Sequence, residues 1–189
     1  MSTLYVMQTG RTTWEDQARV ESTAGASLTD QGAQKVQDIA NELRNRKIGV
    51  VYASEGEAER QTATLAAKIL GLKVRTDTNL RELDYGLWQG LTIEEIKRRQ
   101  PKRHRQWMES PASVCPPGGE TLSDAQQRLR HAVREILKRQ KGVSFLLVLR
   151  PVMVGLLRCL LSGEEIDTLW SHVDPALTWE EHSADERNL

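Results

Sequence analysis

The chain has 189 residues, 39% apolar and 28% charged, a size and mixture suited to one globular domain around one core, 1–189. Lysine plus arginine and aspartate plus glutamate are both 26, so no net charge draws the chain toward nucleic acid or acidic lipid. Two distant cysteines, Cys115 and Cys159, form neither a disulfide framework nor a Cys-rich metal site, and a reducing cytoplasm is the expected setting.

The first residues enter a strand pattern with no basic segment before an apolar one, which speaks against a signal peptide. Residues 4–8 read as a strand, and the stretch after Trp14 as polar and irregular. From Thr29 on, Ala33, Val36, Ala40 and Leu43 recur three and four apart and mark one face of a helix. Residues 48–52 form a β-branched apolar run, a buried strand. Ala58, Thr62, Leu65 and Ile69 define a second helix face, which Gly71 closes. A short strand at 73–76 precedes an aperiodic, aromatic loop at 80–90.

A short helix at 93–99 is read as ending at Pro101, and 111–119 as a Pro/Gly turn. Ala125, Leu129, Ala132, Val133 and Ile136 give a long helix up to Gly142. Residues 143–161 are nearly long enough to span a membrane, but Arg150 and Arg158 would be costly in hydrocarbon. A strand at 144–149 running into a helix with Pro151 in its first turn explains them better, and 176–180 reads as a final edge strand. Strands alternating with helices predict an α/β three-layer sandwich with a mostly parallel central sheet.

Six segments carry a family likeness. Leu4 through Trp14, with Gln8-Thr9-Gly10 in its loop, resembles the opening strand and phosphate loop of the histidine phosphatase superfamily, the phosphoglycerate mutase-like enzymes, where the loop reads Arg-His-Gly. Arg19 to Thr29, with Gln31-Gly32, keeps the spacing of the next family segment. Gln61-Thr62-Ala63 is similar to a family helix whose phosphate-holding arginine falls here on Ala58, with Glu55, Glu57 and Glu59 around it. Leu80-Arg81-Glu82 with Gly86, Trp88 and Gly90 is the strongest match; the resemblance makes Glu82 the proton donor to the leaving group. Pro116-Pro117-Gly118-Gly119-Glu120-Thr121 resembles the turn before the late helix, and Leu149-Arg150-Pro151 stands where the family has Ser-His-Gly.

The resemblance thus implies a degenerate site at Gln8, Thr9, Ala58, Glu82 and Arg150, with both histidines replaced. Covalent phosphoryl transfer needs a nucleophile that is unprotonated near neutral pH, together with bidentate guanidinium groups around the equatorial oxygens. Gln8, Thr9 and Ala58 supply neither, and losing a covalent nucleophile costs on the order of 10⁶ in rate. The expectation is therefore a pseudoenzyme, not an enzyme, that binds another protein or an anionic small molecule, with no cofactor and no metal. The alternative is a divergent phosphatase of phosphate monoesters with relocated groups. In it Thr9 would attack with Glu82 as base, and Arg11, Arg19, Arg60 or Arg150 would hold phosphate; Arg60 lies about 200° around a helix from Ala58.

Arg150 has a plainer use as the ion-pair partner of Glu82. The cluster Lys97, Arg98, Arg99, Lys102, Arg103 and Arg105 reads as a solvated helix face, not a nucleic-acid surface. His104, His131, His172 and His182 are too dispersed for a metal motif, and Trp88, Trp107, Trp170 and Trp179 read as core or cap-loop anchors. A homo-oligomer stays open, and no membrane partner is expected.

Overall fold

The computed structural model describes residues 2–21, 25–174, 176 and 179–184. Five strands form one sheet: β1 (Ser2–Gln8), β2 (Ile48–Ala53), β3 (Val74–Thr76), β4 (Ser144–Leu149) and β5 (Trp179–Ala184), in the order β3-β2-β4-β1-β5. The pairs β1/β4, β2/β4 and β2/β3 are parallel, while β5 runs antiparallel along β1. The helices are α1 (Thr13–Asp16), α2 (Asp30–Glu42), α3 (Glu57–Leu70), α4 (Ile93–Arg99), α5 (Pro101–Glu109), α6 (Leu122–Arg139), α7 (Pro151–Ser162) and α8 (Leu169–His172).

Period-two alternation divides the core between the two sheet faces. Leu4, Val6, Phe145, Leu147 and Leu149 point to the side covered by α6 and α7, and Tyr5, Met7, Leu146 and Val148 to the side covered by α2 and α3. In β2 the alternation slips at Gly49: Ile48 pairs with Ser144 but Val50 with Phe145, so Ile48 and Val51 share a face. This is a bulge, and glycine suits it because a Cβ there would come within 2.6 Å of Val143.

The expected helix faces are present, with Val36 and Ala40 buried on α2, Leu43 buried in the 3₁₀ turn that follows it, and all five named positions buried on α6. Residues 143–161 divide into β4 and α7, and among the described residues no helix is long and apolar enough to cross a membrane. Helix α4 ends at Arg99 before Pro101, as expected; unforeseen is that Pro101 then occupies the first turn of a further helix, α5, after a corner at Gln100 (φ −139°, ψ 58°). Proline lacks only a donor that the first turn leaves unpaired anyway, so it opens a helix as readily as it stops one. The one-turn α1 runs through Trp14 into the stretch expected to be irregular, and the loop at 80–90 contains a 3₁₀ turn at Gly86–Trp88. The last strand begins at Trp179; residues 177 and 178 of the predicted 176–180 strand lie outside the described residues, as do Ser22, Thr23 and Ala24 of the Arg19–Thr29 match.

Candidate active site

In an open parallel sheet, loops gather at the carboxyl ends of the strands, where the order reverses. Here β1 ends at Gln8 and β4 at Leu149, side by side, and the Thr9 amide donates to the Leu149 carbonyl at 2.9 Å. Thr9 and Arg150 thereby leave adjacent strand ends. Gly10 donates to Thr62 Oγ1 at 3.0 Å, which fixes the loop to α3.

Arg150 lies at the centre, its side chain 5% exposed. Its Nη2 donates to Glu21 Oε2 at 2.8 Å and pairs with Glu15 Oε1 at 3.4 Å, and its Nε stands 3.8 Å from Glu82 Oε2. The expected Glu82 partnership therefore exists, but the closest carboxylate is Glu21. Glu21 also accepts from Thr12 Oγ1 at 2.6 Å and from the Ala26 amide at 2.7 Å. Glu15 arrives through a capping box at the start of α1, in which Thr12 N donates to Glu15 Oε2 at 2.8 Å.

Burial pushes the Glu82 carboxyl up to about 8 despite the opposing pull of Arg150, so it is mostly protonated at neutral pH. Glu59 is raised by burial as well, with Arg150 and the Ser54 hydroxyl working against it. Burial would discharge Arg150, but Glu15, Glu21, Glu82 and Glu59 outweigh it and hold the guanidinium charged. Among the described residues Nε and Nη1 of Arg150 and Oγ1 of Thr9 are buried without hydrogen-bond partners.

Of the three acidic residues expected around Ala58, only Glu59 turns inward; Glu55 is exposed, and Glu57 binds Arg60 and Gln61. Arg60 and Arg11 are exposed and paired with Glu57 and Asp16, so neither is a buried phosphate ligand. The candidate residues are distributed over two adjoining cavities. Glu82 and Arg150 line one of about 410 Å³, whereas Gln8 and Thr9 line another of about 520 Å³. Glu15 and Pro151 border both, and buried Ala58 lines neither. A Thr9 nucleophile with Glu82 as its base is therefore not what this arrangement builds.

The segment carrying Glu82 is held from outside. Arg128 on α6 donates to the carbonyls of Asn79 (2.8 Å), Arg81 (2.7 Å) and Glu82 (3.1 Å), and clasps Glu120 at 3.0 and 2.5 Å. Gly86 and Gly119 let the two glycine-bearing segments touch backbone to backbone: a Cβ on Gly119 would lie 2.2 Å from the Asp84 carbonyl oxygen. These contacts account for the two best-matching motifs as scaffold.

Sequence reasoning missed Glu15, Glu21, Arg128 and His104. The Thr12-Thr13-Trp14-Glu15 capping box could have signalled the first. His104 reaches the Glu82 cavity from α5, whose existence was not foreseen. Glu21 lies within the Arg19–Thr29 family segment, whose kept spacing was the one available signal for it. Among the described residues no group of three or more His, Cys, Asp or Glu side chains has an arrangement that could hold a metal ion.

A five-stranded, mostly parallel sheet with helices on both faces and an ionised cleft at its strand ends defines a phosphoglycerate mutase-like α/β protein. The chain belongs to the histidine phosphatase superfamily (branch 1), whose family model matches residues 4–186. Phosphoserine phosphatase 1 of Hydrogenobacter thermophilus is 26% identical over 171 residues, 90% of this chain and 81% of that protein. A bifunctional protein of Mycobacterium tuberculosis is 34% identical over 146 residues, 77% of this chain but only 40% of that longer protein. Among solved structures, Bacillus stearothermophilus YhfR superposes with a TM-score of 0.87 at 28% identity, covering 90% of this chain and 85% of that one. The mycobacterial glucosyl-3-phosphoglycerate phosphatase in complex with VO3 superposes at 0.89 over 100% of this chain and 94% of that one, and at 24% identity shows the shared fold.

These relatives correct the expectation that the chain is not an enzyme: a protein named as a phosphatase matches it over 90% of its length. The pseudoenzyme reading judged the cleft by residue identity at fixed positions. A cleft's chemistry depends on whichever ionisable groups reach it, and this one contains a protonated carboxyl beside an incompletely paired guanidinium.

Proposed function

We propose that the chain hydrolyses phosphate monoesters with catalytic groups relocated to the cavity between α1, the Glu82 segment and α5. The observation that carries this reading is Glu82, a carboxyl still protonated near pH 8, facing an Arg150 with two unpartnered N–H groups. The match to a named phosphatase along most of the chain supports it.

In this reading Arg150, whose Nη1 has no hydrogen-bond partner and whose Nε faces Glu82 at 3.8 Å, binds phosphoryl oxygens and offsets the charge that develops on them. Glu82 gives its proton to the leaving oxygen as the P–O bond breaks. Water forms the new P–O bond, and the proton it releases returns to the Glu82 carboxylate, so alcohol and inorganic phosphate leave and the carboxyl is restored. Direct attack by water bypasses the nucleophile that Thr9 does not provide. Glu15 and Glu21 anchor the guanidinium but oppose a dianion, so slow turnover and weak phosphate binding are expected.

The test is a phosphate-monoester panel with highly purified wild type, Glu82→Gln and Arg150→Lys. Activity that falls at least 100-fold in both variants, and in wild type declines as pH rises through about 8, is expected. Activity that both variants share, or none above the buffer rate, refutes the reading.

A further inference from the structure

Beyond the ionised floor, the 410 Å³ cavity is a cage of aromatic and apolar side chains, among them Tyr85, Trp88, Ile96, Trp107, Met108 and Trp170. Trp107 of α5 is its hub, in edge-to-face contact with Tyr85 (6.3 Å), Trp88 (5.8 Å) and Trp170 (5.4 Å). Two indole donors are already used: Trp88 Nε1 donates to Gln100 at 3.2 Å and Trp170 Nε1 to the Trp107 carbonyl at 2.8 Å. Those walls present ring surface rather than hydrogen-bonding groups to an occupant. At the mouth, Met108 is 49% and Ile93 37% exposed, an apolar rim left open to solvent.

The charged and titratable lining residues have other engagements. Arg19 holds the Gly90 carbonyl at 2.7 Å and Gln17 at 2.8 Å, and Glu15 and Glu21 face Arg150. Tyr85 is held far above the ordinary tyrosine value by burial, and burial together with Lys97 lowers His104, so both are neutral near pH 7. Among the described lining residues the arginines are Arg150 at the floor, and Arg19, whose Gly90 and Gln17 partners are uncharged.

We infer that this cage is a leaving-group subsite selective for uncharged aromatic or bulky apolar alcohols over small polar ones. The inference rests on the phosphatase reading for the phosphoryl end, whereas the cage's affinity for the free alcohol does not depend on catalysis. Edge-to-face packing fixes the rings before the ligand arrives, so little ordering is needed on binding.

Two measurements separate the subsite from the reaction. Calorimetric titration with 1-naphthol should show saturable binding that Met108→Glu weakens at least tenfold; Met108 is half exposed, so the variant keeps the fold. In turnover assays, kcat/KM for 1-naphthyl phosphate should exceed that for O-phosphoserine by at least 100-fold. Naphthol binding without any ester hydrolysis upholds the subsite and overturns the phosphatase reading. Hydrolysis of phosphoserine as efficient as that of naphthyl phosphate, with no naphthol binding, overturns the subsite and upholds the phosphatase. Failure of both measurements overturns both.

Discussion

Replacing Arg150 with methionine removes one charge from a buried cluster and keeps most of its volume. The cost falls unevenly on its partners. Glu82, raised to about 8, is mostly neutral at pH 7 and loses little. Glu15 is 27% exposed and 3.4 Å away, a contribution of under about 1 kcal/mol. Glu21, 2% exposed and 2.8 Å away, is left as a buried carboxylate with two hydrogen bonds and no counter-charge. Stranding one member of such a pair costs about 3–5 kcal/mol. We therefore expect Arg150→Met to lower stability by about 3–4 kcal/mol at pH 7, against about 0–1 kcal/mol for Arg60→Ala, which breaks an exposed pair with Glu57. Urea unfolding followed by tryptophan fluorescence measures both, and an unchanged slope certifies that the midpoints report stability. A deficit within about 0.5 kcal/mol of that for Arg60→Ala would refute this electrostatic account.

Three further outcomes are expected. Glu82 binds a proton in the folded state up to about pH 8 and in the unfolded state only near 4.5, so it favours the folded state fully at low pH. That contribution is lost as pH rises through the window, by an amount on the order of 5 kcal/mol; Glu82→Gln should flatten the decline, and identical pH–stability curves would count against it. Arg128→Lys should cost about 2–4 kcal/mol, because an ammonium cannot span three carbonyls and Glu120 at once, and should also shift the upper limb of the pH–activity profile through displacement of Glu82. Gly119→Ala should cost about 2–3 kcal/mol, since backbone 2.2 Å away cannot yield, while Gly118→Ala, at φ +71° with open space around it, should cost about 1 kcal/mol; calorimetric melting compares the two.

Much of the fold was legible because its signals are local. The alternation in β1 and β4 and the three-and-four spacing in α6 each follow from burying one face of one element. Pro101 marks the end of α4 as its position suggested, but proline also opens helices, and only the packing of Trp107 against Tyr85, Trp88 and Trp170 decides that a second helix follows it. Within the candidate site, Glu82 and Arg150 were found through a motif, whereas Glu21 lies in a segment whose polar pattern resembles ordinary loop.

The order of residues by itself determined the alternating elements, the split of the core across a parallel sheet, and the absence of histidine from positions 9 and 150. Those properties depend on neighbours a few positions apart, or on identity alone. Only the tertiary structure decided that Arg150 meets Glu21 across 129 positions, that Thr9 and Glu82 line different cavities, and that α5 closes an aromatic cage over the ionised floor. Protonation followed from the same packing. A carboxyl reaches about 8 because the surrounding elements exclude water from it, and no local sequence pattern records how completely they do so.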